Sequence, residues 1–268
     1  MRAAACLAAL VLAATAAAGC DDEPAAGRKG GIVSLAPSLT EIVFAVGEGD
    51  ALAGVTTHCD YPEAARALPK VGGYGTPNVE LVYALKPDVV LVPEEGYLLG
   101  PVERLRALGV RVESVKVTRL PDVEAACERV GALVGAADAG KDLARRLRER
   151  RERVERAVAA RARPRVLLVL DWDPFIAAGP GTFAHDLLRA AGAENAAAET
   201  RAAYPQLGEE ALRTLHPERI FDASMGKQEA RAGRARYVGI DPDLVTRPGP
   251  RLIDGLEKLA ALLHPEAF

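Results

Sequence analysis

From Asp138 to Ala162 the chain reads DAGKDLARRLRERRERVERAVAARA, with no glycine after Gly140 and no proline before Pro164. Apolar residues recur at Leu143, Leu147, Val154 and Val158, a spacing that lines one face of an α-helix and leaves the remainder charged. Glu149, Glu152 and Glu155 interleave with the arginines at ion-pairing distance, so the basic run reads as a solvated helix face rather than a phosphate-binding strip. At 1.5 Å per residue the element reaches roughly 35 Å, about the width of a small domain. A helix of that length divides whatever lies on either side of it.

On both sides the pattern alternates short β-branched runs with amphipathic stretches, the mark of parallel sheets with crossover helices. Strands are predicted at 31–36, 51–56, 88–92 and 110–117 before the helix, and at 165–170, 219–223 and 235–240 after it. Ser38 and Glu41, following Pro37, are expected to form a capping box at the first helix. Two segments echo each other: ELVYALKP (Glu80 to Pro87) and EALRTLHP (Glu210 to Pro217) share Glu, Leu and Pro at equal spacing, each followed by an acidic residue and a strand. The expected fold is therefore α/β, with two Rossmann-like lobes joined by one long rigid helix. The lobes span 31–137 and 163–268, with the helix at 138–162.

The first nineteen residues read as an export signal, with Arg2, an apolar stretch and small residues before Cys20. Two cuts fit: a lipobox cut that makes Cys20 the lipidated first residue, or an ordinary cut after Ala18 that frees a soluble protein. Residues 20–30 then form a polar tether. Cys59 and Cys127 remain for the folded part, either paired in an oxidising compartment or buried as free thiols. With a formal net charge of −3 there is no basic excess to neutralise phosphates, so no nucleic-acid partner is expected.

In open parallel sheets, ligands bind beyond the carboxyl ends of the strands. The loops predicted there carry Pro37, His58, Tyr74 and Tyr97 in the first half and Trp172, Phe175, Tyr204 and Asp243 in the second. Five of the twelve Phe, Trp and Tyr residues fall in these loops, which points to a site with flat apolar walls. A lone loop histidine such as His58 is more often a hydrogen-bonding residue than a metal ligand, and no metal site is expected. Phosphate-loop, nucleophile-elbow and H-E-x-x-H motifs are absent, and neighbours His185 and Asp186 point about 100° apart on a helix. The residues leave two other readings open: a surface-anchored hydrolase using His58 or His185, and an interaction protein using the arginine-rich helix.

The segments GGIVSLAPSLTEIVFAVGEGDALAGVTTHCDYP, LPKVGGYGTPNVELVYALKPDVVLV, YPQLGEEALRTLHPERI and RPGPRLIDGLEKLAALLHPE resemble the class III, helical-backbone substrate-binding proteins of ABC importers, particularly members carrying cobalamin. The resemblance runs from about residue 31 to the end. It implies a monomeric, non-catalytic carrier without cofactor, whose cargo is a corrinoid lying among Pro37, His58, Tyr74, Trp172, Phe175, Tyr204 and Asp243. His58 stands where cobalamin binders often have Tyr, and the same scaffold serves haem and iron–siderophore complexes. Glu80 and Glu210 match the acidic pair, one per lobe, that meets arginines of the membrane permease.

Overall fold

The computed structural model describes residues 30–94, 98–208, 210–224 and 236–268. The expected signal, Cys20, nearly all of the tether and Tyr97 lie outside the described residues. The first half contains β1 (Ile32–Ser34), α1 (Pro37–Ala45), β2 (Leu52–Val55), β3 (Gly72–Gly73), β4 (Thr76–Pro77), α2 (Val79–Ala84), β5 (Val89–Pro93), α3 (Leu99–Ala107), β6 (Val112–Val115) and α4 (Leu120–Leu133). Its main sheet has the order β2-β1-β5-β6 with every pairing parallel. Successive residues alternate faces: Ile32, Val89 and Leu91 join one buried cluster, while Val33, Val90 and Val92 join another beneath α2 and α3. Both faces are covered, which is why these strands read as continuous apolar runs.

After α5 (Ala137–Val158) come β7 (Arg165–Trp172), β8 (Phe175–Ala177), α6 (Phe183–Ala190), β9 (Glu194–Asn195), α7 (Ala211–Thr214), β10 (Arg219–Asp222), β11 (Tyr237–Gly239), α8 (Asp243–Thr246) and α9 (Leu252–Leu263). The second sheet runs β11-β10-β7-β8, with β9 also on β7 and β8 the antiparallel member. The echo noted in the sequence becomes one turn built twice. Lys86 (φ 48°) and His216 (φ 44°) both adopt the left-handed conformation after α2 and α7 and just before a proline. The acidic residue that follows then enters its sheet in the same way: Asp88 N donates to Gly31 O at 2.9 Å and Glu218 N to Arg165 O at 2.8 Å.

The 22-residue α5 buries Leu143, Leu147, Val154 and Val158. It crosses α4 closely, because a Cβ on Gly131 would stand 2.8 Å from Gly140 Cα and one on Gly140 would stand 2.7 Å from Cys127 O. A single buried cluster runs from β1 and α1 through α4 and α5 to β7, α6 and α9, so the lobes share one core along this helix. Arginines of α5 reach to both sides: Arg148 and Arg151 to Glu124 on α4, and Arg150 to Asp254 and Glu257 on α9. Cys59 and Cys127 are free and buried, and burial pushes the Cys127 thiol up to about 12, which keeps it protonated and inert.

The expected capping box at Ser38 and Glu41 does not form. Pro37 opens α1 and Ala36 is the N-cap, without a side-chain cap bond. Glu41 turns instead to Arg251 of the second half, which donates to both carboxylate oxygens at 3.1 and 2.7 Å.

Candidate functional site

The carboxyl ends of β1 and β2 lead into loops that meet the α8 region of the second lobe. They enclose a cleft of about 260 Å³. Pro37, Ser38, His58 and Tyr74 wall it from the first lobe, and Asp243, Thr246, Arg247 and Pro248 from the second. Pro37 is placed by the start of α1, and Tyr74 by the tight β3–β4 hairpin, where Gly72 (φ 117°) leaves no room for a side chain: a Cβ there would stand 2.7 Å from Asn78 N and Thr76 O.

His58 Nδ1 accepts a hydrogen bond from Tyr74 N at 3.2 Å and lies 3.3 Å from Thr57 Oγ1. A neutral imidazole accepting at Nδ1 carries its proton on Nε2. Such a ring offers an N–H where a metal ligand would need a lone pair, and it fixes the hairpin bearing Tyr74. Among the described residues, no group of three or more His, Cys, Asp or Glu is placed to hold a metal ion.

Across the cleft, Arg247 binds carboxylates of both lobes. Its Nη1 donates to Asp60 Oδ1 at 2.5 Å, and its Nε lies 2.9 Å from Asp243 Oδ1. The hydrogen bond from Arg247 holds the Asp60 carboxyl below its ordinary value. Behind this pair, Arg251 joins Glu41 and stacks over Tyr61 at 4.0 Å from the ring centroid. Burial raises the Glu41 pKa, opposed by the Arg251 hydrogen bond. Arg119 and Asp186 make a third link between the lobes, at 2.6 and 2.7 Å. Burial pushes Asp186 up, but the bonds from Arg119 and from Leu120 N together outweigh it and hold the carboxyl low.

Of the residues singled out in the sequence, Pro37, His58, Tyr74 and Asp243 therefore converge. Trp172 and Phe175 stand outside the enclosed space. Trp172 Nε1 donates to Asp222 Oδ2 at 2.9 Å and its ring packs 4.6 Å from Phe175, which is itself buried in the second lobe's core. Phe175 supports Trp172 and presents no wall of its own. Tyr204 is 54% exposed on a loop of the second lobe and does not line the cleft. Arg247, Thr246, Pro248 and Ser38 were missed. For Arg247 a signal existed: it lies four residues after Asp243, the spacing that puts two helical side chains together.

Glu80 and Glu210 are both exposed, at the first turn of α2 and the N-cap of α7. Glu80 pairs with Arg104 of α3 at 2.9 Å. His185 and Asp186 part company as expected from helix geometry, Asp186 going to Arg119 and His185 Nδ1 lying 3.1 Å from Asn195 Nδ2. No helix among the described residues is long and apolar enough to cross a membrane.

The sequence profile of a periplasmic binding protein family matches residues 32–235. An uncharacterized ABC transporter substrate-binding lipoprotein of Bacillus subtilis (strain 168), YvrC, is 33% identical over 255 residues, covering 88% of this chain and 81% of that protein. The crystal structure of the periplasmic vitamin B12 binding protein BtuF of Vibrio cholerae superposes with a TM-score of 0.77 at 26% identity, over 87% of this chain and 96% of that one. A periplasmic heme binding protein from Pseudomonas aeruginosa gives 0.78 at 31% identity, over 89% and 94%. The chain thus belongs to the periplasmic binding protein family, as a two-lobed, non-enzymatic substrate-binding protein of an ABC transporter.

Proposed function

We propose that the protein captures a corrinoid, cobalamin or a near relative, in the cleft between its lobes and delivers it to an ABC permease. The observation that carries this choice of cargo is the state of Arg247. Among the described residues lining the cleft it is the cationic one, and its charge is already matched by Asp60 and Asp243. A macrocycle rimmed with neutral amides meets carboxylates and a donor already held in place. The two propionates of haem would need a free cation, and desolvating an unpaired carboxylate is costly. The His58 tautomer favours the same cargo, since iron ligation at Nε2 would require surrendering the bond from Tyr74. The enclosed volume is below the roughly 300–1,000 Å³ of a usual small-molecule pocket. A corrin would be gripped by one edge, the rest projecting between the loops toward Trp172 and Tyr204.

A second reading, haem in the same cleft, is favoured by the 31% identity to a heme binding protein. Titration of the mature protein with cyanocobalamin, haem and a ferric siderophore, followed by Trp172 fluorescence and the visible spectrum, separates them. One saturable cobalamin site with little spectral change supports the corrinoid. Saturation by haem alone, with a shifted Soret band, replaces it.

Glu80 and Glu210 are proposed as the permease contacts, one on each lobe at the matching turn, suited to a partner of twofold symmetry. Reversing both charges should reduce uptake while leaving ligand affinity unchanged, and undiminished uptake would remove the assignment. Export is assigned to residues 1–19 and anchoring to lipidation of Cys20, in keeping with the lipoprotein named in Bacillus subtilis; intact-mass measurement of the membrane fraction tests it. The carrier is taken to act as a monomer.

A further inference from the structure

Three cavities flank α5 away from the ligand cleft. One, about 610 Å³, is bordered by Arg163, Arg189 and two arginines already in ion pairs, Arg119 with Asp186 and Arg151 with Glu124 and Glu155. A second, about 550 Å³, lies between the later turns of α5 and Glu257, Ala261 and Phe268. The third, about 450 Å³, lies among α1, α5 and the stretch from Pro250 to Asp254. Phe44 of the first lobe, Leu143 and Leu147 of α5 and Pro250 of the second lobe give it apolar walls. Tyr61 stands in it with 47% of its surface exposed, under the Arg251 guanidinium.

Three arginines border this cavity. Arg251 is paired with Glu41, and Arg150 with Asp254 and Glu257. The third, Arg146, is exposed on α5 with Asp142 as a charged neighbour, and among the described residues its guanidinium makes no hydrogen bond or ion pair. The cavity therefore combines a largely apolar interior with a solvent-exposed guanidinium at its edge. We propose that it is a second small-molecule site, taking an aromatic monocarboxylate with its ring against Tyr61, Phe44 and Leu147 and its carboxylate on Arg146. Bidentate contact between a guanidinium and a carboxylate supplies orientation, and ring burial supplies affinity. An occupant would touch both lobes and α5 at once.

The test is calorimetric titration of the mature protein with 2-naphthoate, whose bicyclic ring and single carboxylate match this description. One site is expected, weakened at least tenfold by Arg146→Glu and similarly by replacing 2-naphthoate with the neutral 2-naphthamide. Ala45→Trp, which fills the cavity from α1, should remove binding without touching Arg146. Saturating cyanocobalamin should leave the naphthoate site available. Equal affinity in Arg146→Glu, displacement by cyanocobalamin, or loss of binding in Tyr74→Ala would each overturn the proposal, the last two by placing the probe in the ligand cleft. Absence of heat up to millimolar 2-naphthoate would overturn it as well.

Discussion

The two lobes share their joints and differ in their loops. Leu85-Lys86-Pro87-Asp88 and Leu215-His216-Pro217-Glu218 turn the chain through the same left-handed residue into a central strand. Beyond the opposite ends of those strands the likeness stops. In the first lobe the β3–β4 hairpin holds Tyr74 out, 40% exposed, fixed through the backbone by His58. In the second lobe Trp172 is drawn down onto Asp222 and Phe175, and Arg247 comes forward between carboxylates of both lobes. The repeated unit thus builds scaffold, while the chemistry presented to cargo comes from segments with no counterpart in the other half. Chemistry of this kind depends on how the halves meet, and beside the core they share along α5 the meeting is made by the ion pairs of Arg247, Arg251 and Arg119.

The largest expected effect breaks that meeting. Arg251→Ala leaves the Glu41 carboxylate, 3% exposed, without its partner, and removing one member of a buried pair costs about 3–5 kcal/mol. Glu41→Gln should cost less, because Arg251 retains Asp243 at 3.7 Å. Urea unfolding measures both, and a loss below about 1 kcal/mol in Arg251→Ala would mean that the pair does not join the lobes. Next comes the contrast between the two aromatic residues. Asp222→Ala removes a charged acceptor from Trp172 and should cost about 2 kcal/mol with a shift in Trp fluorescence. Tyr74→Ala should change stability by no more than about 0.5 kcal/mol while weakening cargo binding about tenfold, the reverse pattern.

Smaller again is the test of the repeated turn. Lys86→Gly and His216→Gly each relieve a left-handed residue, and each should raise stability by about 0.5–1 kcal/mol after the added flexibility of the unfolded chain is subtracted. Gains that differ in sign would break the equivalence of the lobes. The smallest effect is in pH dependence, where the two carboxylates opposite Arg247 and Arg251 have opposite signs. Asp60 is held below its ordinary 3.8, so its contribution is present above that value and is lost as pH falls through the depressed pKa. Glu41 is raised above 4.5, so its contribution is full below that value and falls as pH rises through the elevated pKa. Asp60→Asn should flatten the acid limb of the stability curve below about pH 4. Glu41→Gln should instead flatten the slope just above the ordinary glutamate range.

Much of the scaffold was legible because it is local. The apolar spacing in α5 names the residues it buries, and the Glu-Leu-Pro echo marks a turn that both lobes repeat. Four cleft residues were legible for a related reason: loops after parallel strands face the opening whatever they contain. What could not be read was what each charged residue would meet. Ser38 and Glu41 have capping-box spacing, yet the partner that claims Glu41 is 210 residues away in sequence. Trp172 and Phe175 were expected in a loop after the strand at 165–170, whereas Trp172 ends β7 and Phe175 opens the antiparallel β8, and the orientation of Trp172 depends on Asp222, a residue of another strand. The two-residue strands β3 and β4 are too short for any alternation to announce them.

In the proposed reading, a neutralised Arg247 selects an amide-rimmed ligand over a dianionic one. That selection is tested most directly by the ratio of cyanocobalamin to haem affinity in the wild-type protein and in the Asp60→Asn/Asp243→Asn variant, which frees the guanidinium. The wild type is expected to favour cyanocobalamin, and the variant to move the ratio toward haem by at least about tenfold, roughly 1.4 kcal/mol. Tight haem binding by the wild type, or a ratio unmoved in the variant, would contradict that reading.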